Sequence, residues 1–494
     1  MTSSSPLSSP VPLQHLIDGQ WIVGGGDRLH SVNPSQPRIV VAEGDSATAD
    51  DVDTAVAAAA RAGAGWAATP MHLRGAVLLA AAAIVERNAD DWGLDLTLEE
   101  GKTKAEGIGE VRRAAQILRY YGNEGDRRSG DLYASPRAGE QILVTRKPVG
   151  VVGIITPFNF PIAIPAWKIA PALIYGNTVV WKPASTVPLL AHRLAAALSS
   201  AGLPAGVLNL LIGGTDIGDA IVNHPAVDAI SFTGSTTIGR RIASSAAARG
   251  VPVQAEMGGK NAAVVLDDAD IDLAVEQVML GAFRSSGQKC TATSRLIVTA
   301  GIADRLLTAL AERVHTLRTG DPTDDATQLG PVVSASARRT ITAGIEAAAT
   351  QGATTLARGR LPGDGPLSDG YFVAPTVLEL DGRTADVWTD ELFGPVLAVR
   401  RAADTAAAFE LANDSEFGLS AAVFTQDLTL ALEAVEHIDV GVLHINSESA
   451  GADPHVPFGG AKKSGLGPKE QGRAAREFFT HTTTVYLRGG ATRP

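Results

Sequence analysis

One cysteine, Cys290, is all the chain has in 494 residues. An intramolecular disulfide is therefore excluded, and nothing ties the protein to an oxidising compartment. Basic runs are missing too: the formal charge is −11, and such a field repels a phosphate backbone, so a nucleic-acid partner is not expected. No His, Cys, Asp or Glu group has metal-ligand spacing and the histidines are scattered, so no metal site is expected. Residues 149–181 form the most apolar stretch, but Pro157, Pro161, Pro165 and Pro171, with Asn159, Lys168 and Asn177, interrupt it. That argues against a membrane span. Repeats at solenoid periods are also absent. The opening "MTSSSPLSSPVP" has neither a basic n-region nor an apolar h-region and reads as a disordered lead, residues 1–11. The expected location is the cytoplasm.

What is there is ordinary globular composition, 45% hydrophobic and 19% charged, in a chain long enough for two or three structural units. From about Gly150, short β-branched runs alternate with helical patterns. "GVVGIIT", "NTVVWKP", "VLNLLIG" and "DAISFTG" read as strands, with "PAWKIAPALIYG", "PLLAHRLAAALSSAG", "DIGDAIVNH" and "TIGRRIASSAAARG" as the helices between or after them. This alternation predicts right-handed βαβ units and a doubly wound parallel sheet. An Ala-rich helical segment, 50–121, precedes it, and a second α/β series starts near Asn261. "EQILVTRKP" and the terminal "TTTVYLRGG" are lone strands that need a sheet to join; a partner subunit could supply it.

Cys290 sits in "RSSGQKCTATS". A lone cysteine is often a small buried hydrophobe, but polar, Gly-containing surroundings suit a nucleophile. As a nucleophile it needs positive charge, backbone donors or a base. Lys289 and Arg284 could supply the charge, and Glu256, 34 residues upstream, the base. Glu256 precedes Gly258-Gly259 at the end of an apolar run, where open α/β sheets place their sites; its alternative is an exposed turn glutamate. Asn159, in the proline-bounded turn "TPFNFP", can donate to an oxyanion or serve the turn alone. "SFTGSTTIGRR" offers Gly234 and Gly239 at a strand-to-helix junction, without the Gly-x-Gly-x-x-Gly fingerprint or a P-loop. A helix N-terminus there still suits a pyrophosphate, and Lys182 is a cation at a neighbouring strand end.

Together, "PFNFP", "GNTVVWKPAS", "FTGSTTIGR", "EMGGKN", "GQKC", "DELFGPV" and "PFGGAKKSG" resemble the NAD(P)-dependent aldehyde dehydrogenase superfamily, in order and spacing, over roughly residues 12–490. The resemblance implies an α/β fold: a doubly wound parallel-sheet cofactor domain (12–129 and 149–258), an α/β catalytic domain (259–463), and a small β extension for oligomerisation (130–148 and 479–490). It implies that Cys290 adds to the aldehyde to give a thiohemiacetal, with Asn159 and the Cys290 N–H as oxyanion hole. Glu256 then activates water against the thioester, and Lys168 supports the asparagine. Thr156, Pro157, Lys182, Ser185, Gly234, Ser235, Glu391 and Phe393 are the implied cofactor contacts. Phe160, Trp167, Arg284, Lys289 and Phe458 are the implied substrate contacts.

Two details refine this. The CoA-acylating branch lacks the glutamate that stands here as Glu256, so release of a free acid is expected. Members strict for NAD carry a glutamate where this chain has Ser185, so NADP is expected to be accepted as well as NAD, and to be favoured. "GAFRSSGQKCTATSR" and "INSESAGADPHVPFGG" resemble the α-ketoglutaric semialdehyde (2,5-dioxovalerate) dehydrogenases. Arg284 matches the carboxylate-holding arginine of succinate-semialdehyde dehydrogenases, whereas Trp167 replaces their second arginine. Succinate semialdehyde, a broad aldehyde range and a cofactor-independent thiol esterase stand as alternatives. A homodimer or homotetramer is the expected assembly.

Overall fold

The computed structural model describes residues 9–128, 130–380 and 385–490. Most of the expected disordered lead, residues 1–8, lies outside that description; the lead ends earlier than expected, since Val11–Pro12 already pairs in parallel with Val40–Asp45.

The expected βαβ alternation forms an eight-stranded sheet. Its parallel centre runs Val253–Glu256, Ala229–Thr233, Val151–Ile155, Thr178–Lys182 and Leu208–Leu210 in spatial order. Both faces are covered, as a parallel sheet requires. Alternate residues of one strand feed different cores: Val152 and Ile154 pack among the helices Met71–Arg87, Lys104–Gly122 and Ala163–Ile174, while Val151 packs with Ile217, Ile221 and Ile230 on the other side. This period of two is what the pleat imposes. The two edges were not legible beforehand. A hairpin, His15–Ile17 and Gln20–Ile22, closes one through the Asp18-Gly19 turn, whose residues both have positive φ. Gly465–Leu466 returns from the C-terminal part of the chain to close the other.

The second series builds a seven-stranded sheet in which Asn261–Val265 lies between Thr293–Thr299 and Ser420–Phe424. Only four residues join Glu256 to Asn261, so the two sheets meet at the Met257-Gly258-Gly259-Lys260 crossing.

The two lone strands do not need a partner subunit to pair. Thr480–Arg488 runs antiparallel along all of Glu140–Pro148, and Asp131–Ala134 adds a third strand. Residues more than 300 positions apart supply each other's backbone partners, which no local pattern announces. The apolar stretch 149–181 is interior: every residue of Ala163–Ile174 is buried. Among the described residues no single helix is long and apolar enough to cross a membrane.

Candidate active site

The ends of the parallel strands converge on one cleft, as expected for an open α/β sheet. Thr156 to Asn159 follow Val151–Ile155, Lys182 ends its own strand, Gly234 and Ser235 follow Ala229–Thr233, and Glu256 ends the last. The cleft is a cavity of about 540 Å³, and all eight expected cofactor contacts line it, with Asn159, Glu256 and Cys290 at its inner end. A second cavity, of about 370 Å³, is lined by all five expected substrate contacts. Cys290 lines both, and so do Trp167 and Phe458, whose rings lie 5.6 Å apart. The thiol therefore sits where the two cavities meet.

The backbone before Cys290 is strained to place it there. Ser285 and Ser286 both have φ near +54°, a left-handed conformation costing about 1–3 kcal/mol for a residue with a side chain. Tertiary bonds hold it: Glu106 accepts the Ser285 N–H at 2.8 Å, and Ser286 Oγ donates to Gly330 O at 2.8 Å. Gln288 Oε1 accepts the Val333 N–H, and Asn261 Nδ2 donates to Cys290 O at 2.7 Å. Asn159 Nδ2 donates one proton to Gln288 O at 3.0 Å. An amide nitrogen carries two, so the second is available to an oxygen bonded at the neighbouring thiol.

The field at the thiol differs from the expectation. Lys289 turns away, donating to Leu280 O at 3.1 Å and facing Glu448 at 3.4 Å. Burial, with the carboxylates of Glu391 and Glu256, pushes the Cys290 thiol up to about 12. Burial, reinforced by Glu470, also raises Glu256 well above the usual carboxylate range, while the Gly460 N–H donates to it at 2.9 Å and opposes the rise. Gly459 makes room for this carboxylate: its φ is +152°, and a Cβ there would stand 2.3 Å from Glu256 Oε1.

Lys168 is the one expected site residue that lines neither cavity. Its ammonium is wholly buried and bonds Glu470, Ser231 Oγ at 3.0 Å and Phe232 O at 3.2 Å. The helix Ala163–Ile174 turns this side chain toward the Ala229–Thr233 strand rather than toward Asn159. The lysine at Asn159 is Lys102, which donates to the Asn159 carbonyl and pairs with Glu110 at 2.7 Å. Glu110 in turn accepts the N–H groups of Ile162 and Ala163. This buried pair grips both ends of the segment that carries Asn159. Sequence reasoning missed it because "EEGKTKAEGIGE" looks like an exposed charged helix start.

The cleft fits a nicotinamide dinucleotide. Lys182 is nearly buried and its ammonium has only Pro183 O, at 3.2 Å, as a hydrogen-bond partner among the described residues. Burial lowers it to about 8, against the opposing charge of Asp216, and a ribose hydroxyl or a phosphate would satisfy it. Ser235 caps the helix Thr236–Ala248, whose first N–H groups open on the cleft. Glu391 reaches in past Gly258, where any Cβ would lie 1.9 Å from its Oε2, and accepts the Gly259 N–H at 3.1 Å. Burial raises Glu391 to about 7. Phe393, with φ of +54°, meets Phe158 edge to face at 5.7 Å across the inner end.

Comparison with known proteins agrees with this geometry. The model of the Aldehyde dehydrogenase family matches residues 21–485. An alpha-ketoglutaric semialdehyde dehydrogenase of Bacillus subtilis is 41% identical over 476 residues, covering 96% of this chain and 98% of the relative. A 2,5-dioxopentanoate dehydrogenase of Saccharolobus solfataricus is 39% identical over 94% of this chain and 98% of its own length. Betaine aldehyde dehydrogenase from Staphylococcus aureus, solved in complex with NAD+, superposes with a TM-score of 0.92 at 32% identity, covering 96% of this chain and 95% of that one. The chain thus belongs to the aldehyde dehydrogenase family, as an NAD(P)-dependent oxidoreductase of aldehydes.

Proposed function

We propose that the enzyme oxidises a carboxylated semialdehyde, α-ketoglutaric semialdehyde foremost, to the free dicarboxylic acid. The observation that carries this reading is the second cavity: the thiol lies on its wall, and Arg284 and Lys289 present cations to the same space. A carboxylate at the far end of a short aldehyde would find a charge-assisted partner there. The named activities of the two relatives above support the same choice.

In this reading the nicotinamide nucleotide, when bound, supplies the hydride acceptor. Cys290 Sγ attacks the carbonyl carbon after Glu256 has taken its proton, directly or through water. The second N–H of Asn159 and the Cys290 N–H stabilise the oxygen as charge develops on it. The same oxygen's electrons then expel hydride and leave a thioester on Cys290. Glu256, having passed the thiol proton to solvent, takes a proton from the water that hydrolyses the thioester and returns it to the departing Cys290 thiolate, and Trp167 and Phe458 wall the aldehyde channel.

The test is initial rates with α-ketoglutaric semialdehyde, succinic semialdehyde and a neutral aldehyde of similar length, on the wild type and on Arg284→Ala. A charge-assisted pair is worth about 1.5–3 kcal/mol. Arg284→Ala should therefore raise KM for both carboxylated aldehydes by about 10- to 100-fold and leave the neutral one nearly alone. Equal effects on all three would remove the anchor.

We also propose that NADP is accepted, and favoured, because Ser185 lines the cleft beside Lys182 where a carboxylate would repel a 2′-phosphate. Ser185→Glu should raise KM for NADP relative to NAD by between about 10- and 100-fold; an unchanged ratio in nucleotide titrations would place the 2′-phosphate elsewhere. The assembly we propose is a homodimer or homotetramer built through the three-stranded sheet, which exposes Leu132, Tyr133, Tyr486 and Leu487. The same reading puts the enzyme in the cytoplasm, where a reduced thiol and the nucleotide pool coexist.

A further inference from the structure

The charges bordering the second cavity differ in how they are held. Lys102 and Glu110 are a closed pair, each 2% exposed, bonded to each other and to the Asn159 segment. Arg113 is bound to Asp453 at 3.1 Å on the exposed rim. Glu106 is locked by three donors: Ser285 N–H at 2.8 Å, Thr103 N–H at 3.0 Å and Thr103 Oγ1 at 2.9 Å. It approaches Arg284 Nε only to 3.8 Å.

Glu448 is different. Its backbone N–H is fixed by Gln277 Oε1 at 3.0 Å, but among the described residues its carboxylate forms ion pairs with just two groups, the candidate anchor cations, while its charge also reaches His444. Oε1 lies 3.5 Å from Arg284 Nη1 and Oε2 lies 3.4 Å from Lys289 Nζ. Both separations exceed the 2.7–3.2 Å usual for N–H···O bonds, so charge rather than tight bonding holds the group. Its side chain is 18% exposed, that of Arg284 50%. A path to water is open for either.

We propose that Glu448 is a displaceable counter-ion of the substrate-carboxylate anchor: it occupies Arg284 and Lys289 in the free enzyme, yields them to the carboxylate of an incoming aldehyde, and so sets the preference between carboxylated and neutral aldehydes. The proposal rests on the reading of Arg284 as that anchor. One carboxylate exchanges for another, so the ion-pair count is conserved and the displaced glutamate regains water. Neutral aldehydes have nothing to exchange and are indifferent to the pair. A site open for only a fraction of the time binds more weakly by that fraction, so a counter-ion engaged about nine-tenths of the time weakens carboxylate binding about tenfold.

Glu448→Gln keeps the side chain's size and removes its charge. The expected result is a fall of about five- to tenfold in the ratio of KM for a carboxylated aldehyde to KM for a neutral one, in steady-state rates with succinic and α-ketoglutaric semialdehydes against a neutral aldehyde. Glu448→Ser, checked with Glu448→Gln by thermal melting, should move the ratio the same way if loss of charge is the cause. An unchanged ratio in both variants overturns the proposal. A raised KM for the carboxylated aldehydes overturns it too, since Glu448 would then hold the substrate rather than compete with it. The substrate reading fails separately: a wild type with no preference for carboxylated aldehydes refutes that reading, while a preference that emerges in Glu448→Gln would still establish the counter-ion.

Discussion

Cys290→Ala is expected to abolish aldehyde-dependent nucleotide reduction, with a loss of at least about 10⁴-fold, the scale seen when a covalent nucleophile is removed. No second thiol exists in the chain to substitute for it. Nucleotide should still bind, because Lys182, Ser235 and Glu391 take their positions from the parallel sheet and its crossing rather than from the sulfur. Equilibrium titration of NAD or NADP into the variant, beside stopped-flow absorbance after aldehyde addition, checks both halves. Residual oxidation within about tenfold of the wild type would place the nucleophile elsewhere.

Glu256→Gln is expected to separate the two halves of the reaction. Glutamine keeps an acceptor for the Gly460 N–H, so the local fold should stand. It cannot take a proton, and a lost general base costs about 10²–10⁴-fold. If Glu256 acts chiefly on water, the variant should show a single-turnover burst of reduced nucleotide and then stall, with the acyl group recoverable on Cys290 by mass spectrometry. An unchanged steady-state rate would remove Glu256 from the mechanism.

The pH dependence follows from the same surroundings. In the proposed mechanism Cys290 and Glu256 both act deprotonated, and burial raises both, Cys290 to about 12. Their active forms therefore accumulate as pH rises, and the wild-type rate should climb between pH 6 and 9. A rate that falls across this interval would require the protonated form of one of them in the rate-limiting step.

Much of this was legible in order along the chain. The βα alternation from Gly150 is written in local runs of β-branched residues punctuated by glycine and proline. Strand ends such as Thr156, Lys182 and Gly234 carry the cleft wherever the strands are parallel. Cys290, Asn159 and Glu256 stood out as candidates for nucleophilic attack, oxyanion donation and proton abstraction by type and place, but a buried thiol, a turn amide and a turn glutamate stayed open until the joint resemblance of seven motifs to the aldehyde dehydrogenases implied the roles.

What the sequence alone determined, then, was the succession of elements and the candidates for the reacting groups, since both are carried by local runs and short motifs. Tertiary structure alone decided the rest. It paired Thr480–Arg488 with Glu140–Pro148, sent Lys168 to Glu470, and brought Lys102 to Asn159 across 57 positions. It also set the field at the thiol, where Glu391 and Glu256 outweigh the adjacent Lys289 because that lysine faces Glu448 instead. Charge acts through space, in proportion to distance and burial, and neither quantity is carried by residue order until the chain has folded.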